Sequence, residues 1–319
     1  MTPASSSSHS ISYRKRKPAI FIVHLAALVC VSMWGMSFVS SKVLLDAGMG
    51  TVEIYIYRFL LAWLLILAIS HKRFRSHSWR DEGMFAMCGI CAGSIYFIVE
   101  NTALQYTLTT NVSLLTSLSP LFTVFLAGLL YRNERADWRV YLGSLIAFSG
   151  VACVIFNSAS QLEINPLGDI LSIGAAVSWA IYSLILKRLN ANYDVWYVTR
   201  KTFFYGVVTA LPFMFLLPDN LHNPLPYLES FDVILNLLFL GLGASMVAYL
   251  LWAYSVKHLG AVKAGNYMYF QAPVTMIASY FILGDRITLL GVLGCALIIA
   301  GLWFGDWLTR RHNMRVNSR

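Results

Sequence analysis

The apolar pattern of this chain runs twice. Five apolar windows follow one another at residues 20–41, 51–70, 83–106, 109–131 and 138–156, and five more at 167–187, 196–217, 232–255, 261–283 and 287–308. Each is about as long as the roughly 20 residues that a helix needs to cross the hydrocarbon. With 58% hydrophobic and 12% charged residues, a soluble fold has nowhere to hide so much apolar surface. Five is odd, so the second set enters the membrane from the opposite side to the first. The expectation is an all-α integral membrane protein of ten transmembrane helices, arranged as two inverted five-helix repeats. The divisions read as residues 1–18, a disordered basic tail; 19–156, the first repeat; 157–166, a connecting loop; 167–308, the second repeat; and 309–319, a basic cytoplasmic tail.

A net charge of +9 would suit a nucleic-acid partner, but its distribution argues for topology instead. With both termini cytoplasmic, 21 of the 24 Lys and Arg fall on the inner side, leaving Lys42, Arg58 and Arg286 outside. The outer side also collects Asp46, Glu53, Glu163, Asp169, Asp219, Glu229, Asp232 and Asp285. That asymmetry is the positive-inside pattern, and its expected contact is anionic lipid rather than nucleic acid. The first apolar run is longer than a signal-peptide core of about 7–15 residues, so it reads as an uncleaved span.

The two halves share local signatures. Ser32-Met33-Trp34-Gly35-Met36-Ser37 opens the first, with Lys42 after it. Val177-Ser178-Trp179-Ala180-Ile181-Tyr182 opens the second, with Lys187 at the same spacing. Ser113, Thr116, Ser117 and Pro120 share one helical face in span four, and Asn266, Tyr269, Phe270 and Pro273 repeat that spacing in span nine. Acid–Arg pairs follow, Glu134-Arg135 and Asp285-Arg286, and then spans with Gly143 and Gly150 or Gly294 and Gly301. Arg58 early in span two has a partial echo in Arg200-Lys201 of span seven. In their order and duplication these motifs resemble the EamA family, a branch of the drug/metabolite transporter superfamily, over nearly the whole chain. The resemblance implies secondary transporters, often exporters of amino acids or small metabolites in bacterial inner membranes.

Glu100 is the sharpest candidate for chemistry. It sits in span three, roughly 9 Å below the outer edge at about 1.5 Å per residue. A carboxylate at such depth costs at least about 2.5–3.5 kcal/mol, so it must face protein or water, or take up a proton. It reads as an ammonium-binding carboxylate, a proton-coupling group, or half of a structural ion pair with Arg58, which starts from the same side; the neighbouring Asn101 would join it. The paired polar faces are the second candidate. Asn111, Ser113, Thr116 and Ser117, with Asn266, Tyr269 and Gln271, would line a polar cavity, although Ser and Thr also bond back to their own helix. Third come Trp34 and Trp179, too deep for interfacial anchors. They read as core packing or as an aromatic wall for a substrate, with Tyr96, Tyr182, Tyr249 and Tyr254 beside them.

Other features read as structure. Cys88-x-x-Cys91 sits beside Gly89 and Gly93, a small-residue packing face, and no second Cys or His pair completes a metal set. The glycines at 291/294 and 301/305 suit close helix packing or an interface between two copies. No phosphate-binding loop, zinc-protease signature or nucleophile elbow is present, so no enzyme activity and no cofactor are expected, and transport must run on a gradient. The expectation is therefore secondary transport, in the export direction by resemblance, of small organic metabolites such as amino acids or amphipathic amines. It would proceed by alternating access in the inner (plasma) membrane, with protons as the coupling ion. The alternatives are an uncoupled facilitator or channel, and a flippase for a lipid-linked substrate.

Overall fold

The structure, a computed structural model, describes residues 19–71, 74–106, 112, 115–130, 138–156, 165–216, 227, 229–283 and 287–317. Among them there is no strand. The helices are α1 (Ile20–Asp46), α2 (Thr51–Ile69), α3 (Trp79–Gly89), α4 (Ile95–Tyr106), α5 (Ser119–Leu130), α6 (Trp138–Phe156), α7 (Pro166–Asn192), α8 (Val195–Leu216), α9 (Phe231–Leu238), α10 (Ala248–Leu259), α11 (Ala261–Asn266), α12 (Gln271–Leu283) and α13 (Leu289–Asn317). Five described stretches are long and apolar enough to cross a membrane: Ile20–Asp46, Thr51–Ile69, Trp79–Glu100, Pro166–Asn192 and Phe231–Leu259. Ser119–Leu130, Trp138–Val154 and Leu289–Gly305 are shorter apolar helices. The last helix does not stop where the apolar window ends at Leu308 but continues to Asn317. The residues expected to form a basic tail therefore include two further turns of helix.

Local sequence explains where several helices begin. Asn165 accepts a hydrogen bond from the Gly168 N–H at 3.3 Å, and Pro166 takes the first helical position of α7, where its missing N–H is not needed. Ser78 caps α3 through the Asp81 N–H at 3.2 Å. At the start of α2 the Glu53 carboxylate reaches back to the Gly50 N–H at 2.9 Å.

Two helices widen into π turns, at Ile90–Ser94 between α3 and α4 and at Phe239–Val247 between α9 and α10. A π turn frees backbone carbonyls from their usual i+4 partners, and in a bilayer each freed group needs a donor. Side chains from other helices supply them. Ser178 Oγ donates to Cys91 O at 2.8 Å and the Tyr249 hydroxyl donates to Ala92 O at 3.1 Å. Trp34 Nε1 donates to Ala244 O at 2.9 Å, and Cys30 Sγ donates to Ala248 O, just past the second π turn, at 3.1 Å.

The expected proline-bearing helices are broken where each proline acts. In the first, a turn at Ser117–Leu118 precedes α5, in which Pro120 is the second residue. Pro120 cannot donate to Thr116 O, and Ser119 Oγ does so instead at 2.8 Å. In the second, a 3₁₀ turn at Tyr267–Phe270 separates α11 from α12, which carries Pro273.

Two apolar clusters hold the molecule. The larger joins α1, α2, α3, α7, α8 and the π-bearing stretch from α9 to α10 around Phe59, Phe85, Phe203, Trp179 and Trp252. The smaller lies between α6 and α13, with Ala147, Val151, Val154, Tyr269 and Ile298. There the backbones touch: a Cβ on Gly150 would lie 2.6 Å from Gly294 O, and one on Gly301 would lie 2.5 Å from Ala147 N.

Candidate functional site

Trp34 of α1 and Trp179 of α7 meet edge to face with ring centroids 5.1 Å apart. Tyr182, Tyr249 and Trp252 close round them, Tyr249 at 5.5 Å and Trp252 at 5.3 Å from Trp34, and Tyr182 at 5.2 Å from Trp179. T-shaped contacts of this kind are favourable because a ring's positive edge meets a negative face. Trp34 is anchored by its bond to Ala244 O, whereas the indole N–H groups of Trp179 and Trp252 are buried without a partner among the described residues. A buried donor left unpaired is uncommon and asks for an explanation. Tyr254 stands apart from this group and packs on His258 at 4.6 Å.

The aromatic group continues outward to the charged candidates. Tyr96 packs on Trp179 at 5.4 Å and donates its hydroxyl to Glu100 Oε1 at 3.1 Å. The i, i+4 spacing of Tyr96 and Glu100 on α4 makes that bond local. Phe97 lies against Tyr96, Tyr55 and Phe59. The Arg58 guanidinium sits over Phe59 and Phe97, with its carbon 5.5 and 5.6 Å from the ring centroids, in the range of cation–π attraction. Its Nε donates to Ser245 Oγ at 2.8 Å, inside the second π turn. Arg58 and Glu100 are 4% and 8% exposed.

The sequence-derived ion pair between Glu100 and Arg58 is not made. The carboxylate takes a phenol and the guanidinium takes a serine and two rings. Both side chains are buried, Arg58 on α2 and Glu100 on α4, and the Phe97 ring packs against the guanidinium. Asn111 and Ser113 lie outside the described residues, and so does the side chain of Asn101.

The described members of the polar faces make most of their bonds away from the aromatic group, but Gln271 reaches it: a Cβ on Gly35, beside Trp34, would lie 2.9 Å from Gln271 O. Thr116 is buried and returns its hydroxyl to Val112 O at 2.8 Å, the bonding that makes hydroxyl residues tolerable in membrane helices. Ser117 is half-buried in the turn before α5. Asn266 accepts from Ser144 of α6 at 3.3 Å. Tyr269 packs in the smaller cluster, and Gln271 is half-buried at the start of α12, its carbonyl accepting from Thr275 at 3.0 Å. The described candidates thus form two adjoining groups, Trp34, Tyr96, Glu100, Trp179, Tyr182 and Arg58 in one and Thr116, Ser117, Asn266, Tyr269 and Gln271 in the other, which meet where Gln271 lies against Gly35.

The sequence profile of the EamA-like transporter family matches this chain twice, at residues 21–156 and 166–304. The chain belongs to the EamA-like transporter family. A probable terminal-alkyne amino-acid exporter of Streptantibioticus cattleyicolor is 28% identical over 280 residues, covering 87% of this chain and 91% of its own. A probable amino-acid metabolite efflux pump of Escherichia coli K12 is 23% identical over 298 residues, covering 92% and 97%. An uncharacterized transporter of Archaeoglobus fulgidus is 25% identical over 287 residues, covering 88% and 96%. A solved crystal structure superposes with a TM-score of 0.75 at 16% identity, over 91% of this chain and 98% of that one. At that identity the likeness speaks to the fold alone. With its several apolar helices, this EamA-like chain is a multi-pass membrane protein of a transporter family.

Sequence reasoning passed over three residues of the first group: Trp252, Phe97 and Ser245. A signal for Ser245 was present. Gly243-Ala244-Ser245 interrupts an apolar window just before Tyr249, much as Gly93-Ser94 interrupts another just before Tyr96. Trp252 and Phe97 carried none, because an aromatic residue inside an apolar window looks the same whether it faces lipid or core.

Proposed function

We propose that this chain is a proton-coupled secondary transporter that exports small organic metabolites, amino acids or amphipathic amines among them, across the inner membrane. In this reading it has ten spans in two inverted halves, 19–156 and 167–308, with both termini cytoplasmic. The double profile match supports the two halves, as do the two π turns and the two breaks before Pro120 and Pro273. The likeness to a probable amino-acid exporter and a probable amino-acid metabolite efflux pump supports the direction and the metabolite class.

The observation that carries the reading is Glu100. It is a buried carboxylate among aromatic rings whose hydrogen-bond partner is a phenol rather than a cation. Burial penalises its charge, and a proton or a substrate ammonium are alternative ways to neutralise it. Competition between the two for one carboxylate is the elementary device of antiport: loading a proton on one face releases substrate there, and loading substrate on the other releases the proton. Trp34 and Trp179 would part and close as the cavity opens to one side at a time, with the prolines and glycines as hinges.

The test is uptake of labelled amino acids and amines into proteoliposomes, with and without a pH gradient, for wild type and Glu100→Gln. The reading expects gradient-driven accumulation in the wild type and its loss, by about tenfold or more, in the variant. Flux that ignores both gradient and substitution would leave an uncoupled facilitator. Absence of flux would shift weight to a flippase.

A further inference from the structure

Arg58 and Glu100 are opposite charges buried in one aromatic surround, and neither is satisfied by the other. A guanidinium carries five N–H donors and a carboxylate four acceptor directions. Among the described residues, only Nε of Arg58 donates a hydrogen bond, to Ser245, and only Oε1 of Glu100 accepts one, from Tyr96. The terminal nitrogens of Arg58 and Oε2 of Glu100 are not among the fully enclosed unpaired atoms, so they border open space inside the buried surround, whereas an arginine with a purely structural role there would be expected to have its terminal nitrogens paired. The Nε bond to Ser245 and the two rings fix the plane of the guanidinium while leaving its terminal edge unengaged. That edge is the one that grips a carboxylate through two parallel N–H bonds.

We propose that Arg58 binds a substrate carboxylate while Glu100 binds the ammonium of the same molecule, so that the site selects zwitterionic α-amino acids over amines. The inference rests on the transport reading above and narrows its substrate class. Ser245 is the positioning residue: held by its hydroxyl, the guanidinium presents its terminal edge. Two buried charges that find separate partners, Ser245 and Tyr96, are then neutralised together by the zwitterion, and its charges are neutralised by them. An amine lacking the carboxylate would leave Arg58 uncompensated, and an amide would offer one uncharged acceptor and turn N–H donors towards the other half of the guanidinium fork. Sites built around buried polar groups reject analogues that leave those groups unpaired, by wide margins.

The experiment measures counterflow in proteoliposomes with leucine, phenylalanine and threonine, each as the amino acid, its amide and its decarboxylated amine. In the wild type at least one amino acid should exceed its own amide and amine by about tenfold or more, the loss of one charge-assisted hydrogen-bonded contact. In Arg58→Gln that ratio should fall towards one, mostly through loss of the amino acid. Arg58→Lys should keep part of it, since charge survives and the fork does not. Ser245→Ala retains the guanidinium and serves if Arg58→Gln fails to fold; it should raise KM for the amino acid several-fold and leave the amine unchanged. Equal flux of the three forms in the wild type, or a ratio unmoved in folded Arg58→Gln, overturns the inference and leaves transport standing. No flux of any compound overturns the transport reading and this inference with it.

Discussion

Between α6 and α13, nothing larger than hydrogen fits where Gly150 faces Gly294, and main chain lies directly on main chain. Around Trp34, indole and phenol rings fill the space between α1, α7 and α10, and their contacts are edge to face or tilted. The first region is held by backbones that have no rotamers to change. The second is held by side chains, two of them with N–H groups and two with charges that are unpaired or incompletely paired among the described residues. Rotamer change moves ring contacts at modest cost, whereas separating two touching backbones gives up every contact at once. The comparison marks α6 and α13 as the part that stays together and the aromatic core as the part able to rearrange.

Three comparisons of variants press on that difference. The largest effect is expected from Gly150→Leu. A Cβ there would already lie 2.6 Å from both Gly294 O and Ile298 N, so the seam must open along its length, destabilising by about 3 kcal/mol or more. Thermal unfolding in detergent and gel filtration should show a much lower Tm and loss of a monodisperse peak. Gly174→Ala on α7 is the control, because its new carbon would meet only Val99 Cγ1 at an ordinary 3.7 Å. A wild-type Tm for Gly150→Leu would show that the seam is not rigid.

A smaller effect separates the two tryptophans. Trp34→Phe removes the donor that serves Ala244 O, whereas Trp179→Phe removes an N–H that has no partner among the described residues. Both lose similar ring area, so Trp34→Phe should cost about 1–2 kcal/mol more than Trp179→Phe, the penalty of an unserved carbonyl. Equal losses in the same unfolding assay would mean that the Ala244 bond contributes nothing. Smallest of the three is Lys201→Met. Lys201 Nζ meets Glu82 Oε1 at 2.8 Å with both side chains partly exposed, and Glu82 keeps bonds from Tyr205 at 2.7 Å and from the Ser76 N–H at 3.2 Å. The change should cost about 0.5–1 kcal/mol and shrink as salt rises. A salt-independent loss of several kcal/mol would show the pair to be far more buried than its exposure indicates.

Much of the helical layout was legible because its causes are local. Asn165-Pro166 starts α7 through a side-chain cap and a ring that needs no donor partner, and both are written in two adjacent letters. The π turns were not legible, because an apolar window looks the same whether its carbonyls bond four or five residues ahead. The meeting of Trp34 with Trp179 could be guessed from the repeated signature, while Trp252 joined them without any sequence mark. Of the two polar faces, Thr116 turns its hydroxyl to its own helix and Tyr269 packs on the α6 side, so residues at matching positions of the two halves do not make matching contacts. Whether Arg58 and Glu100 pair depended on which partners each finds across helices, a serine for one and a phenol for the other, and no spacing rule reports that.

The π turn at Ile90–Ser94 holds one more residue than an α turn of the same rise would, and Tyr96 and Glu100 follow it directly. It therefore works as a vernier on the helix beyond it. Drawing one residue out of the wide turn would carry everything downstream about 100° round the axis and about 1.5 Å along it, taking Glu100 from the aromatic surround towards a different neighbour. The carboxylate's address in this protein is thus written not in its own helix but in a count, one residue long, kept by the Ser178 and Tyr249 hydroxyls that hold Cys91 O and Ala92 O apart from the α-helical pattern.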